Sequence, residues 1–141
     1  CINDNVQVVN KLSKDVDILH IGQNDMKPEL AKNQISSTVK IGLSITDLDQ
    51  IQNIPNFINY IGVGPIFPTE SKTDASNAMG ELILEEIIKK VDIPVVAIGG
   101  IKLKNINKLK CMGVSGFAMI SEIFSSIDPE KKFKEFKKLA K

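Results

Sequence analysis

The stretch from Tyr60 to Lys72 joins an apolar run to a loop rich in groups that bind anions. The run ends at Gly64-Pro65, and Thr69, Ser71 and Lys72 follow within a few residues. Hydroxyls donate hydrogen bonds and an ammonium supplies a compact positive charge, so this loop suits a phosphate-bearing ligand. A solvated surface loop in which Thr and Ser cap a turn would have the same residue types.

Two later strand ends carry features of the same kind. Gly99-Gly100 follows the apolar run Val95 to Ile98, and Ile120-Ser121 ends the next run. In a (β/α)8 barrel the loops after the last two strands commonly form a phosphate cradle from backbone N–H groups. A glycine pair is also found in plain tight turns, and only its position directly after a strand favours the phosphate site.

Asp4 and Asp25 each follow a predicted strand, and these strands are consecutive in the chain. In a parallel sheet the two carboxylates would lie side by side at one edge, where they suit Mg²⁺, a cation that leaves coordination positions for phosphate and water. Both residues could instead be helix caps. The nearby phosphate loop favours the metal.

Three further polar residues lie in or after strands. Asn3 and Ser44 could hydrogen-bond a heterocycle or a phosphate oxygen, and both are also common turn residues. His20 is the only histidine and lies inside the apolar run Ile18 to Ile21, so we expect a buried structural imidazole and assign it no catalytic role. The sequence has no Ser/His/Asp set and no Cys/His metal cluster, so any reaction would depend on positioning and charge stabilisation.

The elements that must position these residues alternate between β-rich apolar runs and helical patterns. Predicted strands lie at 1–2, 16–21, 39–43, 57–63, 93–98 and 116–120. The strands are almost entirely apolar, so we expect both faces of the sheet to be covered. An open doubly wound sheet and an arc of a (β/α)8 barrel both fit, and the polar or glycine feature at every strand end favours the barrel, whose active site uses all the βα loops.

Composition excludes several classes of protein. With 18 basic and 17 acidic residues the net charge is +1, which gives no electrostatic case for nucleic acid or an anionic membrane as partner. Two cysteines are too few for a disulfide framework, so we expect a cytoplasmic protein.

Residues 1–141 are interpreted as a single domain. The chain begins at Cys1, in what resembles the end of a strand, and is therefore expected to be a fragment.

Together these segments resemble the thiamine-phosphate synthase (thiamine-phosphate pyrophosphorylase) family from Cys1 to about Phe124. The resemblance lies in Asn3-Asp4, 20–25 (HIGQND), 41–44 (IGLS), 60–72 (YIGVGPIFPTESK), 96–101 (VAIGGI) and 119–121 (MIS). It implies a (β/α)8 TIM-type barrel, here an N-terminally incomplete arc of about six parallel strands with helices outside. It also implies a transferase that joins hydroxymethylpyrimidine diphosphate to hydroxyethylthiazole phosphate and releases pyrophosphate.

The resemblance also implies roles for individual residues. Asp4 and Asp25 are expected to bind Mg²⁺, and Asn3, Ser44 and Lys72 to contact the pyrimidine diphosphate, with Lys72 and Ser44 acting in catalysis. The thiazole phosphate is expected to contact Thr69, Ser71, Gly100, Ile120 and Ser121, with Ile120 and Ser121 contributing mainly backbone N–H groups. The expected partners are these small-molecule substrates alone, and nothing in the sequence specifies an oligomeric state.

The sequence departs from the family pattern at two places. The Gln-x-Arg-x-Lys strand that precedes Asn-Asp in the family has no counterpart here, and Asn5 replaces the usual Arg. We therefore expect a longer natural protein and an inactive 141-residue piece. Two alternatives stay open: a thiazole tautomerase-like paralogue of the same fold, and a non-catalytic phosphate-ligand binding module.

Overall fold

A computed structural model of the protein describes residues 1–69 and 77–140, with only the backbone at Ser13. One sheet of six parallel strands follows the order of the chain. The strands are β1 (Ile2–Asn3), β2 (Ile18–Ile21), β3 (Lys40–Ile45), β4 (Tyr60–Val63), β5 (Val95–Ile98) and β6 (Gly116–Ala118). A doubly wound sheet would reverse its strand order at a switch point. The consecutive order therefore confirms the predicted barrel arc.

Helices connect the strands in the expected alternation. They are α1 (Val6–Leu12), α2 (Pro28–Lys32), α3 (Gly80–Lys90), α4 (Leu103–Cys111), α5 (Ser121–Phe124) and α6 (Pro129–Ala140), with 3₁₀ turns at Ser13–Asp15 and Leu48–Asn53. Two helix ends carry residues that favour them: Asp128 Oδ1 accepts from Lys131 N–H at 2.9 Å before α6, and Gly113 follows α4 at φ 96°. The short helix α5 was not predicted.

The hydrophobic core lies between the sheet and the helices. Alternate strand residues are almost fully buried on this outer face, among them Leu19, Ile21, Ile41, Leu43, Ile45, Ile61, Val63, Val95 and Ala97. The helices cover them with residues spaced three or four apart, including Leu84 and Ile87 of α3 and Ile106 and Leu109 of α4. The apolar residues at every second strand position and those at every third or fourth helix position therefore pack together in one apolar layer.

The inner face of the sheet differs from the prediction that both faces would be apolar and covered. It carries His20, Ser44 and Tyr60, all half-buried, together with Ile98, which is 39% exposed. The expectation was wrong because the few polar side chains in the strands all occupy the same alternate positions. Six curved strands also leave this face partly open within the described residues.

Within residues 1–69 and 77–140, no helix has both the length and the apolar character needed to cross a membrane.

Two leucines of α3 test the packing of the outer layer. Leu84 is 0% exposed and Leu82 is 83% exposed, on the same helix. We expect Leu84→Ala to lower the free energy of unfolding by about 2–5 kcal/mol, because it removes buried methyl groups and leaves a cavity. Leu82→Ala, the matched control, should change it by about 0.5 kcal/mol or less. Denaturant unfolding measures both, and equal losses would contradict this packing.

Candidate functional site

The carboxyl ends of the six strands lie along one edge of the sheet, because the strands are parallel and consecutive. Most of the predicted site residues lie along this edge. They are Asn3 and Asp4 at the end of β1, Asp25 after β2, Ser44 in β3, Thr69 after β4, Gly100 after β5, and Ile120 and Ser121 between β6 and α5. The predicted Ser71 and Lys72 lie outside the described residues.

Asp4 leaves β1 in an unusual backbone conformation. Its φ is 60°, a left-handed value that non-glycine residues seldom adopt, and its N–H donates to the His20 carbonyl at 2.9 Å. The Asn3 side-chain amide donates to the Asp4 carboxylate. The hydrogen bond to the neighbouring strand thus holds the sharp turn after Asn3 and fixes the backbone position from which the Asp4 side chain extends.

Asp25 is held by its own loop. One carboxylate oxygen, Oδ2, accepts from the Gly22 N–H at 2.9 Å, and a Cβ at Gly22 would lie 2.5 Å from that oxygen. Gln23 of the same loop donates through Nε2 to the Ser44 carbonyl at 2.5 Å. The Asp25 loop is therefore attached to the end of β3, and a carboxylate held by a single backbone N–H retains acceptor sites for another partner.

The predicted magnesium site has two carboxylate donors at this edge of the sheet. Within residues 1–69 and 77–140, no group of three or more His, Cys, Asp or Glu residues could hold a metal. Asp4 and Asp25 provide two carboxylates on successive loops. Mg²⁺ is commonly bound through one or two carboxylates, with ligand phosphates and water completing its octahedron.

The loops after β4 and β5 pack directly against each other. Ile66 N–H donates to the Ile98 carbonyl at 2.9 Å, and Phe67 N–H donates to the Gly99 carbonyl at 3.0 Å. A Cβ at Gly100 would lie 2.6 Å from Phe67 Cβ and 2.8 Å from the Phe67 carbonyl oxygen. Only glycine allows this approach, so the glycine pair forms one wall with the loop that leads to Thr69.

Ile120 and Ser121 lie at the start of α5. The first hydrogen bonds of this turn run from the Ile123 and Phe124 N–H groups to the Ile120 carbonyl, at 3.1 and 2.9 Å. The N–H groups of Ser121 and Glu122 therefore precede the intrahelical ladder, as the first N–H groups of any helix do.

Ser44 belongs to a hydrogen-bonded group on the inner face of the sheet. His20 Nε2 lies 2.9 Å from Ser44 Oγ, and His20 Nδ1 lies 2.8 Å from the Tyr60 hydroxyl oxygen. The His20 and Tyr60 ring centroids are 5.5 Å apart. Burial raises the pKa of Tyr60 above its ordinary value of 10.0, so its hydroxyl keeps its proton at neutral pH.

His20 is less buried than the sequence predicted. It is half-buried on the site face, and both ring nitrogens have side-chain partners 24 and 40 residues away. The sequence did contain one signal for these contacts. In β3 and β4 a glycine and a polar residue lie two positions apart, Gly42 with Ser44 and Tyr60 with Gly62, so each pair shares one face of the sheet, as His20 does in β2. The strand register needed to align them was not in the sequence pattern.

Two cavities lie near the ends of the sheet. One of about 240 Å³ is lined by Gln23, Asp25, Leu43 and Pro55, beside the predicted site edge. Another of about 290 Å³ is lined by Asp92 and Pro94, which precede β5, so it lies at the opposite end of the strands. The cavity of about 240 Å³ therefore has a predicted site residue, Asp25, in its lining.

Comparison with known proteins decides the family. Residues 1–123 match the family model described as thiamine monophosphate synthase. The chain belongs to the thiamine monophosphate synthase family. It is 39% identical over 140 residues to a thiamine-phosphate synthase of Archaeoglobus fulgidus and 39% identical over 138 residues to one of Histophilus somni. Those alignments cover 99% and 95% of this chain, and 65% and 61% of the relatives.

A solved member of the family has the same architecture. The thiamine phosphate pyrophosphorylase of Pyrococcus furiosus superimposes with a TM-score of 0.85 at 34% identity, covering 98% of this chain and 65% of that one. The α/β TIM-like arc with helices outside is therefore the fold of this family, as predicted. The chain spans 65%, 61% and 65% of the lengths of these three relatives, respectively.

Two glycines test the contact between the glycine pair and the neighbouring loop. Gly100 and Gly80 both have a positive φ, 64° and 80°, but a Cβ at Gly80 would meet nothing within 4 Å. Gly80→Ala should cost only the left-handed strain, about 1–2 kcal/mol of unfolding free energy. Gly100→Ala should cost about 1–3 kcal/mol more, because its methyl group would overlap the Phe67 backbone.

Calorimetric titration with inorganic phosphate completes this test. Gly80→Ala should keep the affinity of the unmodified protein, and Gly100→Ala should lower it about tenfold or more, because the wall beside Thr69 must move. Equal stability losses in the two variants would contradict the close packing. An unchanged affinity in Gly100→Ala would remove Gly100 from the predicted phosphate site.

Proposed function

We propose that the full-length protein is a thiamine-phosphate synthase. It joins hydroxymethylpyrimidine diphosphate to hydroxyethylthiazole phosphate and releases pyrophosphate. The observation that carries this proposal is the family match over residues 1–123, which includes every predicted site residue. The two exposed, unpaired cysteines agree with a reducing compartment such as the cytoplasm.

The reaction needs positioning and charge stabilisation more than proton transfer. The bond between the pyrimidine methylene carbon and the diphosphate oxygen breaks, and its electron pair leaves with pyrophosphate. The lone pair of the thiazole nitrogen then forms the new carbon–nitrogen bond to the methylene cation. No proton has to be removed from the attacking nitrogen, so the residues of the site act by holding two phosphate-bearing substrates in reach of each other.

The thiazole phosphate is assigned to the edge formed by β4, β5 and β6. Thr69 contributes a hydroxyl, and the Gly100 loop, which closely approaches Phe67, allows the backbone to contact the anion. Ile120 and Ser121 contribute backbone N–H groups at the start of α5. Ser71 completes this set on the basis of its position in the sequence.

The pyrimidine diphosphate is assigned to the edge formed by β1, β2 and β3. Asn3 and Ser44 supply an amide and a hydroxyl, and Lys72 supplies the positive charge that stabilises the leaving pyrophosphate. Asp4 and Asp25 would hold Mg²⁺, which when bound neutralises the charge of the diphosphate. The Gln23 bond to the Ser44 carbonyl keeps the Asp25 loop beside Ser44, so metal and hydroxyl would face the same substrate.

Formation of thiamine phosphate tests the function directly. The purified full-length protein, supplied with both substrates and Mg²⁺, should produce thiamine phosphate and pyrophosphate in equal amounts, as separated and quantified by chromatography. A protein that binds thiazole phosphate but gives no product would instead be a paralogue or a binding module. That result would overturn the proposal.

Lys72 tests the division of the site between the two substrates. Lys72→Ala should lower kcat by about 100-fold or more, because a charge that stabilises the departing pyrophosphate acts mainly in the transition state. The affinity for thiazole phosphate should change less than threefold. The matched control is Lys89→Ala, since Lys89 is exposed in the last turn of α3 and pairs only weakly with Glu85. Lost thiazole phosphate binding in Lys72→Ala would contradict the division.

Asp25 tests the metal assignment. Asp25→Asn keeps an oxygen that can accept from Gly22 N–H but removes the negative charge, so the loop should stay folded while Mg²⁺ binding weakens. In titrations of Mg²⁺ in the presence of pyrimidine diphosphate, the apparent Kd should rise about tenfold or more. Asp92→Asn, at the opposite end of the strands, is the control. An unchanged Mg²⁺ affinity in Asp25→Asn would exclude Asp25 as a ligand.

A further inference from the structure

The group formed by His20, Ser44 and Tyr60 spans three neighbouring strands. Register pairs His20 with Gly42 and Gly42 with Tyr60, so His20 and Tyr60 lie on either side of β3. Their Cα atoms are separated by two strand spacings, roughly 9.6 Å. Their side chains nevertheless meet, with 2.8 Å between Nδ1 and the Tyr60 hydroxyl oxygen.

Glycines make this contact possible. A Cβ at Gly42 would overlap the Tyr60 ring at Cε1 and Cζ, so the ring crosses β3 over the place where a side chain would be. A Cβ at Gly62 would lie 3.0 Å from His20 Cε1 and 3.4 Å from His20 Nε2. Both glycines therefore provide the space in which the imidazole and the phenol are held.

The hydrogens available to this group allow two directions of hydrogen bonding. A neutral imidazole carries one N–H, and each hydroxyl carries one O–H. In the first arrangement Tyr60 donates to Nδ1, Nε2–H donates to Ser44 Oγ, and the Ser44 hydrogen remains for a ligand. In the second arrangement Ser44 donates to Nε2, Nδ1–H donates to Tyr60, and Ser44 can offer a ligand only a lone pair.

We propose that Tyr60, His20 and Ser44 form a directed hydrogen-bond chain in which His20, as a positioning residue, holds the Ser44 hydroxyl as a donor toward the substrate. The inference rests on the proposed function in one respect, that Ser44 faces the pyrimidine diphosphate. An anionic diphosphate or a ring nitrogen accepts hydrogen bonds, so the first direction is the one that would recognise it.

The chemistry of the two hydroxyls favours the same direction. A phenol is more acidic than an aliphatic hydroxyl and is therefore the stronger donor to an imidazole nitrogen. Because partial burial of Tyr60 raises its pKa, the phenol stays protonated and able to donate across the neutral range. The Ser44 backbone carbonyl accepts from Gln23 Nε2, so the strand that carries this hydroxyl is also attached to the Asp25 loop.

The tautomer of His20 is the first test. His20 is the only histidine in the 141 residues, and its signals in an NMR spectrum of ¹⁵N-labelled full-length protein are assigned by their loss in His20→Gln. At pH 8 we expect Nε2 to carry the proton and Nδ1 to carry none. A protonated Nδ1, alone or together with Nε2, would overturn the proposal.

Tyr60→Phe and Ser44→Ala distinguish a directed chain from simple packing. Tyr60→Phe removes the donor to Nδ1 and should shift the tautomer population toward Nδ1–H, and Ser44→Ala should leave Nδ1 unprotonated. An unchanged tautomer in Tyr60→Phe would contradict the direction of the chain. Circular dichroism and denaturant unfolding confirm that each variant is folded before its spectrum is compared.

Kinetics of the full-length protein provide the second test. His20→Leu should lower kcat by about 10- to 100-fold, the ratio expected for a lost hydrogen bond to a charged group. The KM for thiazole phosphate should stay within about threefold. His20→Gln, which offers an amide N–H near Ser44, should recover part of the loss. Equal losses of kcat in His20→Leu and His20→Gln would show that His20 contributes only packing, and would overturn its positioning role.

The two tests separate this inference from the proposed function. If the full-length protein forms no thiamine phosphate, the function fails, while the tautomer experiment still decides the direction of the chain. If product forms and Nδ1 is protonated, the function stands and the inference fails.

Discussion

The register of the parallel sheet places Asn3, His20, Gly42 and Tyr60 side by side across four strands, through three successive residue pairs. Two residues further along the same face, Ser44 pairs with Gly62 on the next strand. Because strand side chains alternate between faces, a slip of one residue in any strand would turn its polar group into the apolar core. The nearly complete burial of the other face therefore fixes the position of the site residues.

The two ends of the arc contribute different chemistry to the site. Asp4 and Asp25 follow β1 and β2, and Ser44 lies in β3, whereas Gly99-Gly100 follows β5 and the first N–H groups of α5 follow β6. The glycine loop after β5 contacts the loop after β4 so closely that Gly100 cannot carry a side chain. In the proposed function, metal-assisted binding of a diphosphate and backbone binding of a monophosphate therefore occupy neighbouring parts of one edge.

Much of the fold could be predicted because each element has a local signal. Apolar runs predicted the strands, and residues with strong positional preferences, Asp128, Pro129 and Gly113, lie at the helix ends. The observed strand ends differ from the predicted ones by a few residues. For example, β5 begins at Val95 rather than at Ile93. Helix α5 was missed because a turn of four residues has little periodicity to detect.

Candidate site residues could be named from the sequence only where one strand end could be interpreted by itself. Gly100 and Asp25 fall into this class, because a strand followed by a glycine or an aspartate is visible in the sequence. The contacts of His20 with Ser44 and Tyr60 join residues 24 and 40 positions apart, and they depend on two glycines that leave room for the rings. Local patterns contain no information on such contacts until the register is known.

The most direct measurement of the central claim is a crystal structure of the full-length protein soaked with thiamine phosphate, pyrophosphate and Mg²⁺. We expect the thiazole phosphate against the backbone N–H groups near Gly100 and Ser121, and the metal between pyrophosphate and the carboxylates of Asp4 and Asp25. A phosphate bound away from the β5 and β6 loops, or a metal that contacts neither carboxylate, would contradict it.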